Sequence, residues 1–193
     1  MRMVQAVHEA LEEITAPTAL AISVADVRDH LRIVSTEDNK GIADRIQSAI
    51  NQIESATSRQ LITATYTLHL DSFPAVIELR RPPIVSITSV IYTATDGTST
   101  TMDSGDYTLD AKSTPGRLRP VYGTAWPTAQ SIDNAVAVRF VCGYGSAPVN
   151  VPDKAKQLIR LLVEQDYYGS YDNVHLTQAI DSLMGVLDWG ALG

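Results

Sequence analysis

Leu61-Ile62-Thr63-Ala64-Thr65-Tyr66-Thr67-Leu68-His69-Leu70-Asp71 is the stretch on which the reading of this chain turns. Ile62, Ala64, Tyr66, Leu68 and Leu70 alternate there with Thr63, Thr65, Thr67, His69 and Asp71. A period of two sends successive side chains to opposite faces of a strand, so one face is buried and the other is wet. Immediately upstream the period is helical: Ile42, Ile46, Ala49, Ile50 and Ile53 fall on one stripe and predict a long amphipathic helix. The chain changes from helix to sheet at Leu61, and the rest of the sequence decides how the two are combined.

Downstream, strands are expected over residues 76–79, 85–93 and 98–102, with Pro82-Pro83 breaking the chain between the first two. Asp96-Gly97 stands where a hairpin turns, because that dipeptide tolerates the positive φ angles of tight two-residue turns. A second hairpin runs through Tyr107 to Asp110, the turn Thr114-Pro115-Gly116, and Arg117 to Val121. Val136, Val138, Phe140 and Cys142 alternate on a last strand, and Gly143-Tyr144-Gly145 ends the β region. Pro152 then opens a helix whose stripe is Ala155, Leu158, Ile159, Leu162 and Val163. Upstream of everything described so far, Ser23 and Asp26 form a capping-box-like start for a helix carrying Val24, Val27 and Leu31. Residues 1–21 show a short helical pattern followed by Pro17, read as an arm with weak claims on the core.

The resulting expectation is an α+β fold. Three principal helices pack together, and an antiparallel β block with exposed hairpins is inserted between the second and third. The divisions are an arm at 1–22, a helical part at 23–60, the β block at 61–147, a closing helix at 148–172 and a C-terminal docking segment at 173–193.

With 193 residues, 45% of them hydrophobic, the chain can bury one sizeable core or one core with a satellite. A formal net charge of -7 argues against tight nucleic-acid binding, which depends on Lys and Arg neutralising phosphates. The single cysteine, Cys142, allows no internal disulfide, and no Cys/His set has the spacing of a zinc site. The charged start of the chain lacks the apolar segment of a signal peptide, and no apolar run approaches bilayer length, so the cytoplasm that makes the chain, and no membrane, are expected.

Chemistry-bearing residues are sparse. Cys142 before Gly143 has the form of a nucleophile on a strand-to-loop turn, with His8, His30, His69 or His175 as base. It also continues the apolar alternation of its strand, which a small buried hydrophobe explains without chemistry. Glu9, Glu12 and Glu13, like Asp103 and Asp106, fall in segments expected to be exposed, where carboxylates solvate. Gly143-Tyr144-Gly145-Ser146 lacks the lysine of a phosphate loop. Arg80-Arg81 is one basic pair rather than a patch. No catalytic, metal or cofactor residue is therefore assigned. The candidates are partner contacts: Asp96 and Gly97 at the hairpin tip, and Leu183, Met184, Val186, Leu187 and Trp189 in an apolar C-terminal piece. That piece reads equally as a last core helix or as a segment that docks on another subunit, and it is expected to be ordered mainly by another subunit.

The order of segments resembles the head-to-tail connector, or adaptor, family of long-tailed double-stranded DNA bacteriophages and related gene-transfer particles. The resemblance covers about Ser23 to Tyr168. It rests on Val24-Ala25-Asp26-Val27-Arg28-Asp29-His30-Leu31-Arg32, Thr57-Ser58-Arg59-Gln60-Leu61-Ile62, Leu68-His69-Leu70-Asp71-Ser72-Phe73-Pro74 and Leu79-Arg80-Arg81-Pro82-Pro83-Ile84-Val85-Ser86-Ile87. Pro115-Gly116-Arg117-Leu118, Ala125-Trp126-Pro127, Val138-Arg139-Phe140-Val141-Cys142-Gly143-Tyr144-Gly145 and Val151-Pro152 follow in the family's order. The chain departs from it at Ser58, where many members carry Gly, and at Tyr66, where many carry Trp.

The resemblance implies a virion protein at the head-tail junction, without catalysis or cofactor. Its partners would be copies of itself in a ring matching the dodecameric portal, the portal protein, tail-side connector or stopper proteins, and genomic DNA passing through unbound. A tail-completion or tail-terminator ring protein is the rival within virions, and a small cysteine hydrolase using Cys142 is the rival of another class.

Overall fold

The computed structural model describes residues 9–169 and 173–188. Among the described residues it is α+β, with two antiparallel sheets and four α-helices, and these fall into two compact units. Of the described residues, one comprises 9–16 and 64–142, the other 17–63, 143–169 and 173–188.

The helical unit is built from α1 (Val24–Leu31), α2 (Asn39–Thr57), α3 (Asp153–Tyr168) and α4 (Val174–Asp188). Ser23 caps α1 as its sequence suggests: its Oγ accepts from the Asp26 amide at 3.0 Å and donates to the Asp26 carboxylate at 2.6 Å. At the other end Arg32 turns left-handed (φ 58) and Ile33 N–H reaches the Arg28 carbonyl at 3.0 Å, closing the helix as glycine often does. Ser58 ends α2 in the same conformation (φ 51), which gives the physical reason why glycine suits that position in the resembling family. The stripe of α2 is buried at Ile42, Ile46, Ala49, Ile50 and Ile53, against Ala155, Leu158, Ile159, Leu162 and Val163 of α3.

The link after α2 carries polar groups into this core, each supplied with a partner. The Glu54 Oε1 accepts from the Leu61 amide at 2.8 Å and from the Gln60 amide group at 3.1 Å, while Arg59 donates to the Tyr144 hydroxyl at 3.3 Å. Backbone bonds from Thr63 N–H to the Gly145 carbonyl and from Tyr144 N–H to the Leu61 carbonyl join the two segments. Gly143 (φ 116) belongs to the same join: a Cβ there would stand 2.7 Å from the Thr63 nitrogen.

The β unit has a five-stranded sheet in the order β1-β2-β8-β4-β5 and a three-stranded sheet in the order β3-β7-β6. The strands are β1 (Glu9–Thr15), β2 (Ala64–Leu70), β3 (Ile77–Leu79), β4 (Ile84–Thr93), β5 (Ser99–Thr101), β6 (Tyr107–Asp110), β7 (Gly116–Pro120) and β8 (Val136–Cys142). β2 and β8 run in strict antiparallel register from Ala64↔Cys142 to Leu70↔Val136. Their inward residues Tyr66, Leu68, Val138 and Phe140 share one buried cluster with Ile77, Leu79 and Leu118 of the smaller sheet.

Two expectations for the arm are corrected. Its Glu9–Thr15 part is a strand paired with β2, because an open sheet edge supplies ladder partners that override the helix propensity of its glutamates. The segment that follows also has a strong claim on the core, since Ala21 and Ile22 are fully buried in the helical unit.

Candidate partner interface

The hairpin tip joins β4 to β5 through Ala94–Thr98, and it is wider than the two-residue turn expected. Gly97 N–H donates to the Ala94 carbonyl at 2.9 Å and Ala94 N–H to the Thr98 carbonyl at 2.8 Å, so Thr95, Asp96 and Gly97 form the loop. Of the dipeptide only Gly97 takes positive φ, at 88°, as the left-handed third residue of such a loop requires. Asp96 instead makes an Asx turn: its Oδ1 accepts from the Thr98 amide at 2.9 Å and from the Thr98 hydroxyl at 2.7 Å. Those bonds, the hydroxyl first, hold its carboxyl below the ordinary aspartate range. The tip is therefore a fully exposed, ionised and locally ordered turn.

The C-terminal candidates sit on α4, which Asn173 caps by accepting the Leu176 amide at 3.2 Å. This helix packs on its own chain. Ile180 is 7% exposed in the helical core, and Leu176, Leu183 and Met184 lie half-buried against it. Gln165 of α3 reaches the Thr177 hydroxyl at 3.5 Å. Val186 is half-buried, whereas the side chain of Leu187 and the whole of Trp189 fall outside the described residues. Leu183, Met184 and Val186 thus share one end of one helix, and the hairpin tip belongs to the other unit.

Exposure reveals candidates that apolar pattern did not. Tyr122 is fully exposed, Val34 94% and Val149 83%. Tyr122 stands on an ordered turn, in which Val121 N–H donates to the Asp106 carbonyl at 3.1 Å, Thr124 Oγ1 donates to the Val121 carbonyl at 2.7 Å, and Gly123 has φ 84°. Gly123 marks the turn in the sequence, but nothing local tells that the Tyr122 ring faces outward.

Several of the remaining chemical candidates take structural roles, and His8 lies outside the described residues. Cys142 is fully buried, with its Sγ 3.9 Å from the Ala64 carbonyl oxygen, where no substrate reaches it. The hydrolase reading is therefore set aside. His30 pairs with Glu164 at 2.8 Å and His69 with Glu12 at 3.1 Å, while Glu9 pairs with Arg80. Asp103 and Asp106 line an open cleft of about 420 Å³ with Tyr92 and Thr124. Among the described residues no cluster of three or more His, Cys, Asp or Glu side chains is placed to hold a metal ion, and no helix is long and apolar enough to cross a membrane.

No protein-family model matches this chain, and no curated protein does. Solved structures do match. A chain in the neck of an empty gene transfer agent (GTA) particle, computed with C6 symmetry, is 24% identical with a TM-score of 0.71, over 82% of this chain and 84% of that one. A chain in the virion of a native GTA particle is 25% identical at 0.67, over 82% and 84%. One in the neck of the native particle computed with C12 symmetry is 24% identical at 0.67, over 82% and 83%. The α+β fold is that of chains in gene transfer agent necks, consistent with the head-to-tail connector family that the sequence resembles.

Proposed function

We propose that this chain is a non-enzymatic structural subunit of a head-to-tail connector. It works as one copy in a ring beneath the portal, extends the DNA channel, and gives tail-side connector or stopper proteins a platform. The observation that carries this reading is the likeness to neck chains over most of the sequence, including assemblies computed with six- and twelve-fold symmetry. A closed ring needs two different, complementary faces on each subunit, because a head-to-tail contact closes only through rotation. The hairpin tip at Asp96 and Gly97, the exposed Tyr122, and the end of α4 at Val186 are the surfaces we assign to ring neighbours and portal; the proposal extends to Leu187 and Trp189 from the sequence alone. The net charge of -7 suits a conduit, since a wall that repels phosphate lets DNA slide.

Labelling of purified particles with a binder raised against this chain tests the reading. The label belongs in a ring at the head-tail junction, and deleting the gene should leave DNA-filled heads unjoined to tails. A label at the far end of the tail neck would favour a tail terminator instead, and absence from particles would overturn the proposal.

A further inference from the structure

β1 contributes almost nothing to the core of the sheet it closes. Of Glu9–Thr15 only Leu11 is half-buried, and even Ile14 is 40% exposed. Its position is nevertheless specified in detail. It pairs with β2 from Glu9↔Leu70 to Thr15↔Thr65, and Glu9 and Glu12 meet Arg80 and His69. Ladder bonds to β2 and ion pairs with His69 and Arg80 are interactions that the sheet of any other copy would supply identically, whereas buried side chains would have tied the strand to its own core.

The chain leaves β1 through Ala16, Pro17 and Thr18, which are exposed and in no helix or strand, before Ala21 and Ile22 enter the helical core. Residues 16–63 separate β1 from β2, so no tight hairpin turn binds the two together. An exposed linker between a docked strand and a second compact unit is where a chain can be re-routed with both cores intact.

We propose that β1 is an exchangeable clasp between copies. In the dispersed chain it closes its own sheet, and in the assembled ring it pairs with β2 of the adjacent copy in the same register. This rests on the ring reading above. The occupant of β2 is a second copy of this chain because Arg80 and His69, which meet Glu9 and Glu12, are present on every copy. Each subunit gives one strand and receives one, which is the heterologous contact that closes a ring. Pairing at a sheet edge supplies affinity through main-chain bonds and specificity through the flanking side chains. Before assembly, self-closure covers the β2 edge that would otherwise recruit wrong partners.

Two cysteine pairs placed at register partners read the connectivity: Ala10→Cys with His69→Cys, and Thr15→Cys with Thr65→Cys, in the full chain with Cys142 left buried. The second pair leaves the Glu12–His69 contact intact and guards against a local effect of the first. Dispersed chain and rings verified by electron microscopy are oxidised separately and run on non-reducing gels. The dispersed chain should give internally bridged monomers, and the rings a ladder of covalent multimers. Rings that give only bridged monomers, or no bridge with either pair, overturn the clasp and leave the ring standing. A chain that forms no ring, alone or with portal, overturns the clasp together with the function on which it rests.

Discussion

The Tyr168 hydroxyl donates to the Leu31 carbonyl at 2.9 Å, so the last turn of α3 is tied to the last turn of α1 across 137 positions of sequence. Leu31 ends α1, where carbonyls lack intrahelical partners, and a hydroxyl from elsewhere in the unit is one way to satisfy them. Glu164 reinforces the same join by pairing with His30 one turn earlier on α3.

Tyr168→Phe removes that bond while keeping the ring. Tyr168 is 57% exposed, so water can replace the hydroxyl and the loss stays at about 0.5–1 kcal/mol. Urea unfolding should show a lower midpoint with an unchanged slope; a midpoint equal to that of the parent chain would show that water satisfies Leu31 equally well.

Gly143→Ala tests the join between residues 58–63 and 143–145. The new Cβ would meet the Thr63 nitrogen at 2.7 Å and the Ile62 carbonyl carbon at 2.8 Å, backbone atoms that cannot swing aside, at a left-handed φ of 116°. The expected cost is on the order of 3 kcal/mol. Gly97→Ala shares the positive φ but has nothing within 4 Å, so it should cost only about 1 kcal/mol. Equal losses at the two sites in chemical denaturation would contradict the steric account.

Much of this was legible because it is local or periodic. The stripes of α2 and α3 and the alternation of β2 and β8 name residues that the fold buries, and each hairpin joins neighbours in sequence. β1 was not legible. Glu9-Ala10-Leu11-Glu12-Glu13-Ile14-Thr15 has neither alternation nor β-branched enrichment, and is a strand only because β2 presents an edge whose paired residues lie 50 positions or more away. The insertion of β8 between β2 and β4 is likewise a long-range choice that no local pattern encodes. Tyr122 is not legible as a contact candidate because exposure is a property of the folded surface, and the place of α4 in the core is not legible because its acceptor surface comes from two other helices.

Asp96 makes the hairpin tip sensitive to acid. Its carboxyl is lowered by the Thr98 hydroxyl and amide, so the ionised form's contribution is complete above the ordinary aspartate pKa. It is lost as pH falls through the lowered folded value. Amide exchange at Thr98, corrected for its intrinsic rate, should accelerate across that acidic window. Asp96→Asn keeps an acceptor without a titration and should flatten the response; a pH response surviving in that variant would assign it to another group.

Cys142 should be inert to thiol reagents in the native chain and react fully in denaturant, because it is fully buried at the end of β8. Labelling in native buffer at the rate of a free thiol would mean that this end of the sheet opens readily.

The last helix separates stability from assembly. Ile180 is buried in the helical core, so Ile180→Ala should destabilise the isolated chain by about 2 kcal/mol, toward the low end for a core isoleucine because Leu176, Leu183 and Met184 beside it are only half-buried. Truncation after Asn173 removes all four contacts and should lower stability further, in place of the undisturbed monomer that an entirely partner-ordered tail would leave. Val186 is half-buried near the end of α4, and Val186→Asp should change stability by no more than about 1 kcal/mol. If the outer surface of α4 meets a ring neighbour or the portal, that charge would enter an apolar contact unpaired, and ring formation followed by sedimentation should fall well beyond what the small loss of stability explains. Rings that assemble normally with Val186→Asp would confine α4 to its role in the subunit's own core.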